Sequence, residues 1–453
     1  MNIQTNNNTN EITWKNCLNN KLNTLNIQKK TILESEKEIV KELFESNYSE
    51  NQVDKFPKIN NKSNFSSEFM DLGYQIRCAS KKMHLGKLSD EYPEKSKLKE
   101  LYFNLKKNKS PPEDNLDRIN YKDFKKVGEG YSGHIKKCFS ACTFLKFDKD
   151  KFGRIDILYF FTYLVKKLNS IENKINLCYY DEVSSGFLLE KNLDAYIKEE
   201  FKGFYFKDEI SNDIVDYYYL VAQRKFFFFL DPKKTGRIYI NDIVCSNLLS
   251  EFLEMKEKTS NSESESLWFS KANFFRIYKK YIELDKDRNG MLSKNELIRF
   301  RPGLTRIFID RVFEEYQKYE NAFDFKQFIE FCLAMDYKKS HASLHYLFKI
   351  FDVNHNGKID TFIINMFFKQ IVKKLLNRNK AEYKVDDIKD EIWDMVKPKN
   401  QEYITLEDIQ NSPNSDIILP ILFDAKSFYD HDQREMPFVD EFIEIEDEYT
   451  DYN

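Results

Sequence analysis

The chain has 453 residues, and its charges nearly cancel because 71 Lys and Arg stand against 74 Asp and Glu. That balance excludes an overall basic field that would attract nucleic acid or anionic lipid, so no nucleic-acid partner is expected. Hydrophobic residues make up 41% of the chain, yet its apolar runs, such as residues 226–230, are far too short to cross a bilayer. We therefore expect a globular protein of several compact units without a membrane span.

The beginning of the chain carries little pattern. Residues 1–30 are rich in Asn and are predicted to be a poorly ordered lead. Residues 31–135 are predicted to form an N-terminal helical region, in which Pro111 and Pro112 stop a helix. The seven cysteines are odd in number and include no Cys-x-x-Cys pair, which favours free thiols in the cytosol or nucleus.

A spacing then repeats along the chain: five glycines have Asp five residues before them and Ile or Leu two residues after them. In an EF-hand calcium loop these are position 1, which offers a carboxylate, position 6, where the backbone turns, and position 8, where an aliphatic side chain packs inward. The sequence therefore predicts an all-α fold, an elongated array of EF-hand-like helix-loop-helix units with short β-ladders between paired loops. The five sets are Asp148, Gly153 and Ile155; Asp181, Gly186 and Leu188; Asp231, Gly236 and Ile238; Asp285, Gly290 and Leu292; and Asp352, Gly357 and Ile359.

Three of these loops lack calcium ligands. Tyr159 replaces the Glu of position 12 in the loop from 148, and position 3 is Val183 in the loop from 181 and Lys233 in the loop from 231. We expect them to act as packing units that hold no calcium. The first two are predicted to form a degenerate EF-hand-like pair within residues 136–210.

The loop from residue 285 to residue 296 keeps every ligand position and lies in a predicted central EF-hand domain, residues 211–336. Calcium takes six to eight oxygens, which an EF-hand supplies from positions 1, 3, 5, 7, 9 and 12, with a backbone carbonyl at 7 and a bidentate Glu at 12. The alternative is an acidic surface turn, which would not require the whole pattern. The predicted calcium ligands are Asp285, Asp287, Asn289, Met291, Ser293 and Glu296.

The last loop, residues 352–363, has Ile363 where the bidentate Glu belongs. Both a weak calcium site and a purely structural loop remain open for it. It lies in a predicted second EF-hand domain, residues 337–425. Two further segments are predicted to pair with the loops: one near Phe323 with the loop at 285, and one near Ile404 with the loop at 352. Its candidate ligands are Asp352, Asn354, Asn356, Lys358 through its carbonyl, and Asp360.

Other patterns give no catalytic constellation. His341 and His345 are four residues apart on a predicted helix, but they lack the Glu and the third ligand of a zinc site. The four Phe of residues 226–229 fit either a core helix or an exposed docking patch. Residues 426–453 are predicted to form an acidic, solvated tail.

Several segments together resemble one protein family. They are Arg224–Ile238, Trp268–Ser270, Leu284–Lys294, Asp310–Phe313 and Asp390–Lys399, with Trp14-Lys15 and Ile119–Phe124 nearer the start of the chain. By these segments the chain is similar to the B'' (B double-prime) regulatory subunits of protein phosphatase 2A, and most closely to the gamma group.

The resemblance implies a protein with no catalytic site of its own, which joins the scaffold and catalytic subunits and directs a Ser/Thr phosphatase to phosphoprotein substrates. It also implies calcium at the loop 285–296, a link to protein phosphatase 5, and residence in cytoplasm and nucleus with a role at the centrosome or another microtubule organising centre. Two alternatives stay open: a calcium sensor that exposes an apolar groove, and a cytoskeletal scaffold independent of phosphatase.

Overall fold

α-Helices dominate the chain, which confirms the predicted all-α class. The computed structural model describes residues 72–112, 116–257, 267–317, 322–376 and 385–434. The predicted Asn-rich lead and the part of the predicted acidic tail beyond residue 434 lie outside the described residues. Among the described helices, none combines the length and hydropathy needed to cross a bilayer.

Most of the helices lie on either side of short loops. Up to residue 230 they are α1 (Leu72–Asp90), α2 (Lys95–Lys107), α3 (Tyr121–Glu129), α4 (Gly133–Cys138), α5 (Ala141–Phe144), α6 (Ile157–Tyr180), α7 (Glu190–Phe201) and α8 (Val215–Leu230). Beyond it they are α9 (Ile240–Cys245), α10 (Asn247–Leu253), α11 (Lys271–Leu284), α12 (Lys294–Leu297), α13 (Arg306–Tyr316), α14 (Phe325–Asp336), α15 (His341–Phe351), α16 (Thr361–Leu376), α17 (Val385–Val396), α18 (Leu406–Asn411), α19 (Ser415–Ile418), α20 (Pro420–Phe423) and α21 (Ala425–Asp432). Short 3₁₀ turns lie at Lys207–Glu209, Glu254–Lys256 and Ile298–Phe300.

Short antiparallel ladders join the loops in pairs. The strands are β1 (Arg118–Ile119) with β2 (Ile155–Asp156), β3 (Phe187–Leu189) with β4 (Arg237–Tyr239), and β5 (Ile359–Asp360) with β6 (Tyr403–Ile404). Each ladder places the position-8 aliphatic of a loop opposite another apolar residue: Ile155 opposite Ile119, Leu188 opposite Ile238, Leu292 opposite Phe323, and Ile359 opposite Ile404. The predicted partner segments near Phe323 and Ile404 are thereby confirmed.

The loops from 148 and 181, predicted to form a pair within residues 136–210, do not pair with each other. The first pairs with β1, and the second pairs with the loop from 231 through Leu188 and Ile238. The predicted grouping is therefore wrong, because α6, a helix of 24 residues, separates the two loops. The other predicted domain limits stay predictions.

Two hydrophobic cores form on these pairs, and α6 contributes to both. The smaller core collects buried side chains from Leu101 to Leu168, and the larger collects them from Leu177 to Phe428. A helix of 24 residues is about 36 Å long. It therefore reaches from the first pair of loops to the second.

Two predictions about apolar and acidic segments are decided by burial. In α8, Phe226, Phe227 and Phe228 are buried in the larger core, so the core-helix interpretation of the Phe run is confirmed.

In α21, Phe428 is completely buried in the same core while Asp430 and Asp432 are exposed. A solvated tail from residue 426 is therefore wrong for this stretch, because one apolar face of the helix outweighs its acidic composition.

Candidate calcium site

Helix α11 delivers the loop that begins at Asp285. Ser270 caps the start of the helix by accepting a hydrogen bond from Asn273 N at 3.2 Å. The apolar stripe expected on this helix is buried in the larger core, and its members are Phe274, Ile277, Tyr281 and Leu284. The position of Asp285 is thus fixed by the packing of the helix before it.

The loop turns at Gly290, whose φ of +76° suits a residue without a Cβ. Leu292 then pairs with Phe323 through backbone hydrogen bonds of 2.9 and 2.8 Å. The hydroxyl of Tyr281 lies 3.1 Å from Gly290 O and 3.3 Å from Phe323 O. The delivering helix, the turn and the partner segment are therefore tied together at one point.

Three carboxylates of this loop converge. Asp285, Asp287 and Glu296 each place an oxygen within 4.8 Å of the others, and no other group of three or more Asp, Glu, His or Cys in the described ranges converges in this way. Calcium lies about 2.3–2.6 Å from its oxygen ligands, so two ligands of one ion are at most about 5 Å apart. The spacing of the carboxylates fits a calcium ion.

Glu296, at position 12, is 6% exposed and is held against the loop by its own hydrogen bonds. Its Oε1 accepts from Lys286 N at 2.7 Å, and its Oε2 accepts from the amide and the hydroxyl of Ser293, both at 2.8 Å. Both oxygens therefore face the loop, as a bidentate ligand requires.

Asp285, at position 1, is 4% exposed, and its two oxygens accept hydrogen bonds from Asn289 N at 3.1 Å and Gly290 N at 3.0 Å. Burial raises the pKa of Asp285 to about 6 against the effect of the Gly290 amide, and the carboxylates of Asp287 and Glu296 add to the rise. Crowded, buried carboxylates repel one another unless a cation lies between them. This donor set therefore fits a hard divalent cation such as calcium.

The other predicted ligands lie beside the carboxylates. Asn289 donates through Nδ2 to Asp287 Oδ2 at 2.7 Å and accepts from Met291 N at 2.7 Å, while Ser293 contacts Glu296 as described. The structure thus brings the side chains of positions 1, 3, 5, 9 and 12 together. Their role as calcium ligands stays a prediction.

The loop 352–363 has the same backbone plan and a different end. Asp352 accepts from Asn356 N at 2.9 Å and from Gly357 N at 2.8 Å. Ile363, at position 12, is 1% exposed and belongs to the larger core, so position 12 offers no carboxylate to complete a site with Asp352 and Asp360. Asp360 accepts from Ile363 N at 2.9 Å at the start of α16. Calcium binding by this loop stays a prediction.

Two of the degenerate loops contain a cation from the protein itself. In the loop from 148, the guanidinium of Arg154 binds Asp150 through Nε and Nη2, both at 2.9 Å. In the loop from 181, Lys81 of α1 lies 3.6 Å from a carboxylate oxygen of Asp181 and donates to its backbone carbonyl. The prediction that these loops hold no calcium gains a physical reason, because a bound cation is already supplied.

Comparison with known proteins extends this picture. A family model described as EF hand matches residues 282–300 and 345–361. The chain is 38% identical over 371 residues to the gamma member of the B'' regulatory subunits of serine/threonine-protein phosphatase 2A from Xenopus tropicalis, and the match covers 81% of this chain and 82% of that protein. It is 36% identical over 440 residues to the Danio rerio protein of the same name, with 94% of this chain and 96% of that protein covered.

The chain belongs to the B'' family of protein phosphatase 2A regulatory subunits. As a B'' family member it is a regulatory protein and not the catalytic one, as the resemblance implied. A solved structure of a PP2A PR70 holoenzyme contains a similar chain, with a TM-score of 0.50 and 20% identity, covering 55% of this chain and 94% of that one. That likeness supports the helical EF-hand fold.

Sequence reasoning missed β1 as the partner of the loop from 148. The sequence did contain a signal for such partner segments. The three partner segments without calcium ligands share a pattern: an apolar residue, then a helix-capping residue, and an acceptor residue at N3, three residues after the cap. The three sets are Ile119, Asn120 and Asp123; Phe323, Asp324 and Gln327; and Ile404, Thr405 and Asp408. In this B'' chain the caps are formed: Asp123 N donates to Asn120, and the other two sets make capping boxes.

Proposed function

We propose that this B'' family member binds calcium at the loop 285–296, joins the scaffold and catalytic subunits of protein phosphatase 2A, and directs the enzyme to phosphoprotein substrates in a calcium-dependent way. The convergence of Asp285, Asp287 and Glu296 is the observation that carries the proposal. Its second support is the family, whose members are named as phosphatase 2A regulatory subunits.

The loop is well placed to transmit calcium binding. Asp285 follows α11 directly and Glu296 lies within α12, so an ion bound by both would fix the two helices relative to each other. Leu292 pairs with Phe323, which lies just before α14, and α14 packs against α8 in the larger core. A change at the ion would therefore act on the centre of the molecule as well as on one loop.

Assembly in vitro tests this proposal. The full chain and its Glu296→Gln variant are mixed with the scaffold and catalytic subunits, with calcium or with chelator, and the complex is measured by size-exclusion chromatography. We expect the wild-type complex to weaken with chelator and the variant complex to be weak in both conditions. Equal assembly in all conditions would contradict calcium control but not membership of the complex.

The matched control is Glu283→Gln, the same chemical change just before the loop at a side chain that is half exposed. This variant should assemble like the wild type. Absence of any complex for the wild-type chain would contradict the regulatory role itself and would favour a calcium sensor or a cytoskeletal scaffold.

The place of action is a further part of the proposal. Similarity to the gamma group supports work in cytoplasm and nucleus, recruitment to the centrosome or another microtubule organising centre, and contact with protein phosphatase 5. Imaging of the tagged full chain tests the location, and affinity purification tests the contact. A uniform distribution that excludes the nucleus and the organising centres would contradict this part.

A further inference from the structure

A cavity of about 200 Å³ lies where α8 and the loop after it meet α14 and α15. We call it the Arg224 cavity. Its charged and polar lining consists of Arg224, Lys234, His345, Lys349, Glu190, Asp231, Glu330, Tyr316 and Tyr346. None of these residues belongs to the loop 285–296, so the proposed calcium site makes no use of it.

Two buried polar groups of this lining have no partner. Arg224 is 4% exposed and Tyr346 is 3% exposed, yet Arg224 Nε and Tyr346 Oη contact no hydrogen-bond acceptor within the described part of the chain. A buried donor without an acceptor is destabilising. Both atoms are donors, because a guanidinium accepts no hydrogen bond and burial raises the pKa of Tyr346 far above its usual range. They therefore favour a ligand with acceptor oxygens.

Both side chains are held in place by other contacts. Arg224 reaches Glu190 at 2.7 Å through Nη2 and Glu330 at 3.5 Å through Nη1, which leaves Nε free. The ring of Tyr346 stacks on that of Tyr316, with 4.0 Å between centroids and 7° between planes. Because the donors are fixed before any ligand arrives, binding would need little ordering of side chains.

The charged side chains of the lining leave one cation without an ion-pair partner. Glu190 pairs with Arg224, Glu330 pairs with Arg224 and Lys234, and Asp231 accepts from two amides of its own loop. Lys349, on the exposed side of the cavity, has no carboxylate within 4 Å in the described ranges, so it can pair with a carboxylate of a ligand. A single carboxylate adds one negative charge to a lining whose formal charges cancel, whereas a doubly charged phosphate would add a second one beside three carboxylates.

The potential around His345 agrees with this assignment. Burial lowers the pKa of His345, and the positive charge of Lys349, with smaller contributions from His341, Lys234 and Lys233, lowers it further. The potential at this side of the cavity is therefore positive, which favours an anion.

We propose that the Arg224 cavity binds a single carboxylate group, with Arg224 Nε and Tyr346 Oη as donors and Lys349 as the countercharge. The group comes either from a small free acid or from an acidic side chain of a peptide. The cavity is lined by α8, by the end of α13 at Tyr316, and by α14 and α15. It therefore lies where the paired loops at 181 and 231 meet the two EF-hand pairs that follow, and a bound carboxylate stabilises this junction.

Thermal unfolding of the full chain tests the site, with sodium acetate as the probe and sodium chloride holding the ionic strength constant. We expect acetate to raise Tm in a saturable way. Tyr346→Phe removes one donor, so about tenfold more acetate should be needed for the same shift, as expected for the loss of one hydrogen bond to a charged group. Lys349→Gln should weaken the acetate response as well.

A control keeps the test independent of folding effects. Tyr218 is as buried as Tyr346, but its hydroxyl donates to Phe269 O at 2.9 Å. Without acetate, Tyr218→Phe should lower Tm by a few degrees, whereas Tyr346→Phe should raise it, because only the second removes a hydroxyl without a partner. Tyr218→Phe should keep the acetate response.

Two further arms decide the ligand. Inorganic phosphate should give less stabilisation than acetate, and a larger effect of phosphate would overturn the assignment to a carboxylate. A peptide of residues 435–453 has eight acidic side chains and no Lys or Arg. If the natural ligand is an acidic segment, the peptide should raise Tm at a lower concentration than acetate does. If the natural ligand is a small free acid, the peptide should raise Tm no more per carboxylate than acetate does. No acetate response, or an equal one in Tyr346→Phe, would overturn the site.

Discussion

The loops 148–159 and 285–296 share the Asp, Gly and aliphatic spacing, but they balance their carboxylates in different ways. In the first, Asp150 binds the guanidinium of Arg154, and Arg118 approaches the same carboxylate oxygen at 3.2 Å. In the second, Asp285 faces Asp287 and Glu296, and the charges of these two carboxylates raise its pKa. One loop contains its counter-ion in its own sequence, whereas the other is proposed to take an ion from solution.

The pKa values of the two loops show the same contrast. Burial by itself would raise the pKa of Asp150, but hydrogen bonds from Arg154, Phe152 N and Arg118 hold it well below its usual range. The pKa of Asp285 moves the other way, to about 6. Both loops keep the spacing itself, so the difference between them comes from position 7, which is Arg154 in the first loop, and from position 12, which is Glu296 in the second.

Of the predictions that test this contrast, the largest change in stability is expected at Arg154. This side chain is 2% exposed and also donates to Ser110 O and Pro112 O, both at 3.0 Å. Arg154→Met leaves these carbonyls without a partner, at about 2 kcal/mol each, so the free energy of unfolding should fall by about 4 kcal/mol. Urea unfolding measures it, with and without calcium. Lys151→Met, an exposed change in the same loop, should alter stability by less than about 0.5 kcal/mol. Rescue of the Arg154 variant by calcium would contradict the internal-cation interpretation.

A somewhat smaller effect is expected at Ile363, the position-12 residue of the loop 352–363. Ile363→Glu removes a buried apolar side chain and buries a carboxylate, so the free energy of unfolding in chelator should fall by about 3 kcal/mol. Calcium should restore part of the loss, because the new carboxylate would join Asp352 and Asp360. Ile363→Val is the control, with a loss of about 1 kcal/mol in both conditions. If calcium restores nothing, this loop lacks the geometry of a calcium site even when its ligand set is completed.

At Glu296 the expected effect is on calcium affinity. Changes to groups that only support metal ligands lower affinity about 10- to 100-fold, so Glu296→Gln, which alters a predicted ligand, should lower it by at least about 100-fold. Isothermal titration calorimetry of the full chain measures this change. Asp148→Asn, at position 1 of the loop with the internal cation, should leave affinity unchanged. An equal loss in both variants would mean that calcium does not distinguish the two loops.

The features of this molecule that the sequence predicted are those that depend on residues close together in the chain. The Asp, Gly and aliphatic pattern predicted the loops, the carboxylate cluster and the ladders to Phe323 and Ile404, because turn geometry and inward packing depend on neighbouring residues. It did not predict that the loop from 148 pairs with Ile119, which depends on packing across the smaller core. It also missed Arg154, whose carbonyl partners lie more than forty residues earlier in the chain.

The smallest expected effect follows from the raised pKa of Asp285. At pH 7 this carboxyl is mostly ionised, but at pH 5, below its value of about 6, most molecules must release its proton before calcium binds. Calcium affinity should therefore be about tenfold lower at pH 5 than at pH 7, while the urea stability contributed by Arg154 should persist at pH 5, because the pKa of Asp150 lies far below that pH. Calcium titrations at pH 7, 6 and 5 measure the first effect, and Asp285→Asn, which has no proton to release, should lose most of the pH dependence along with affinity. Equal wild-type affinity at pH 5 and pH 7 would show that Asp285 is not the carboxylate that limits binding, and the contrast between the two loops would then depend on Glu296 alone.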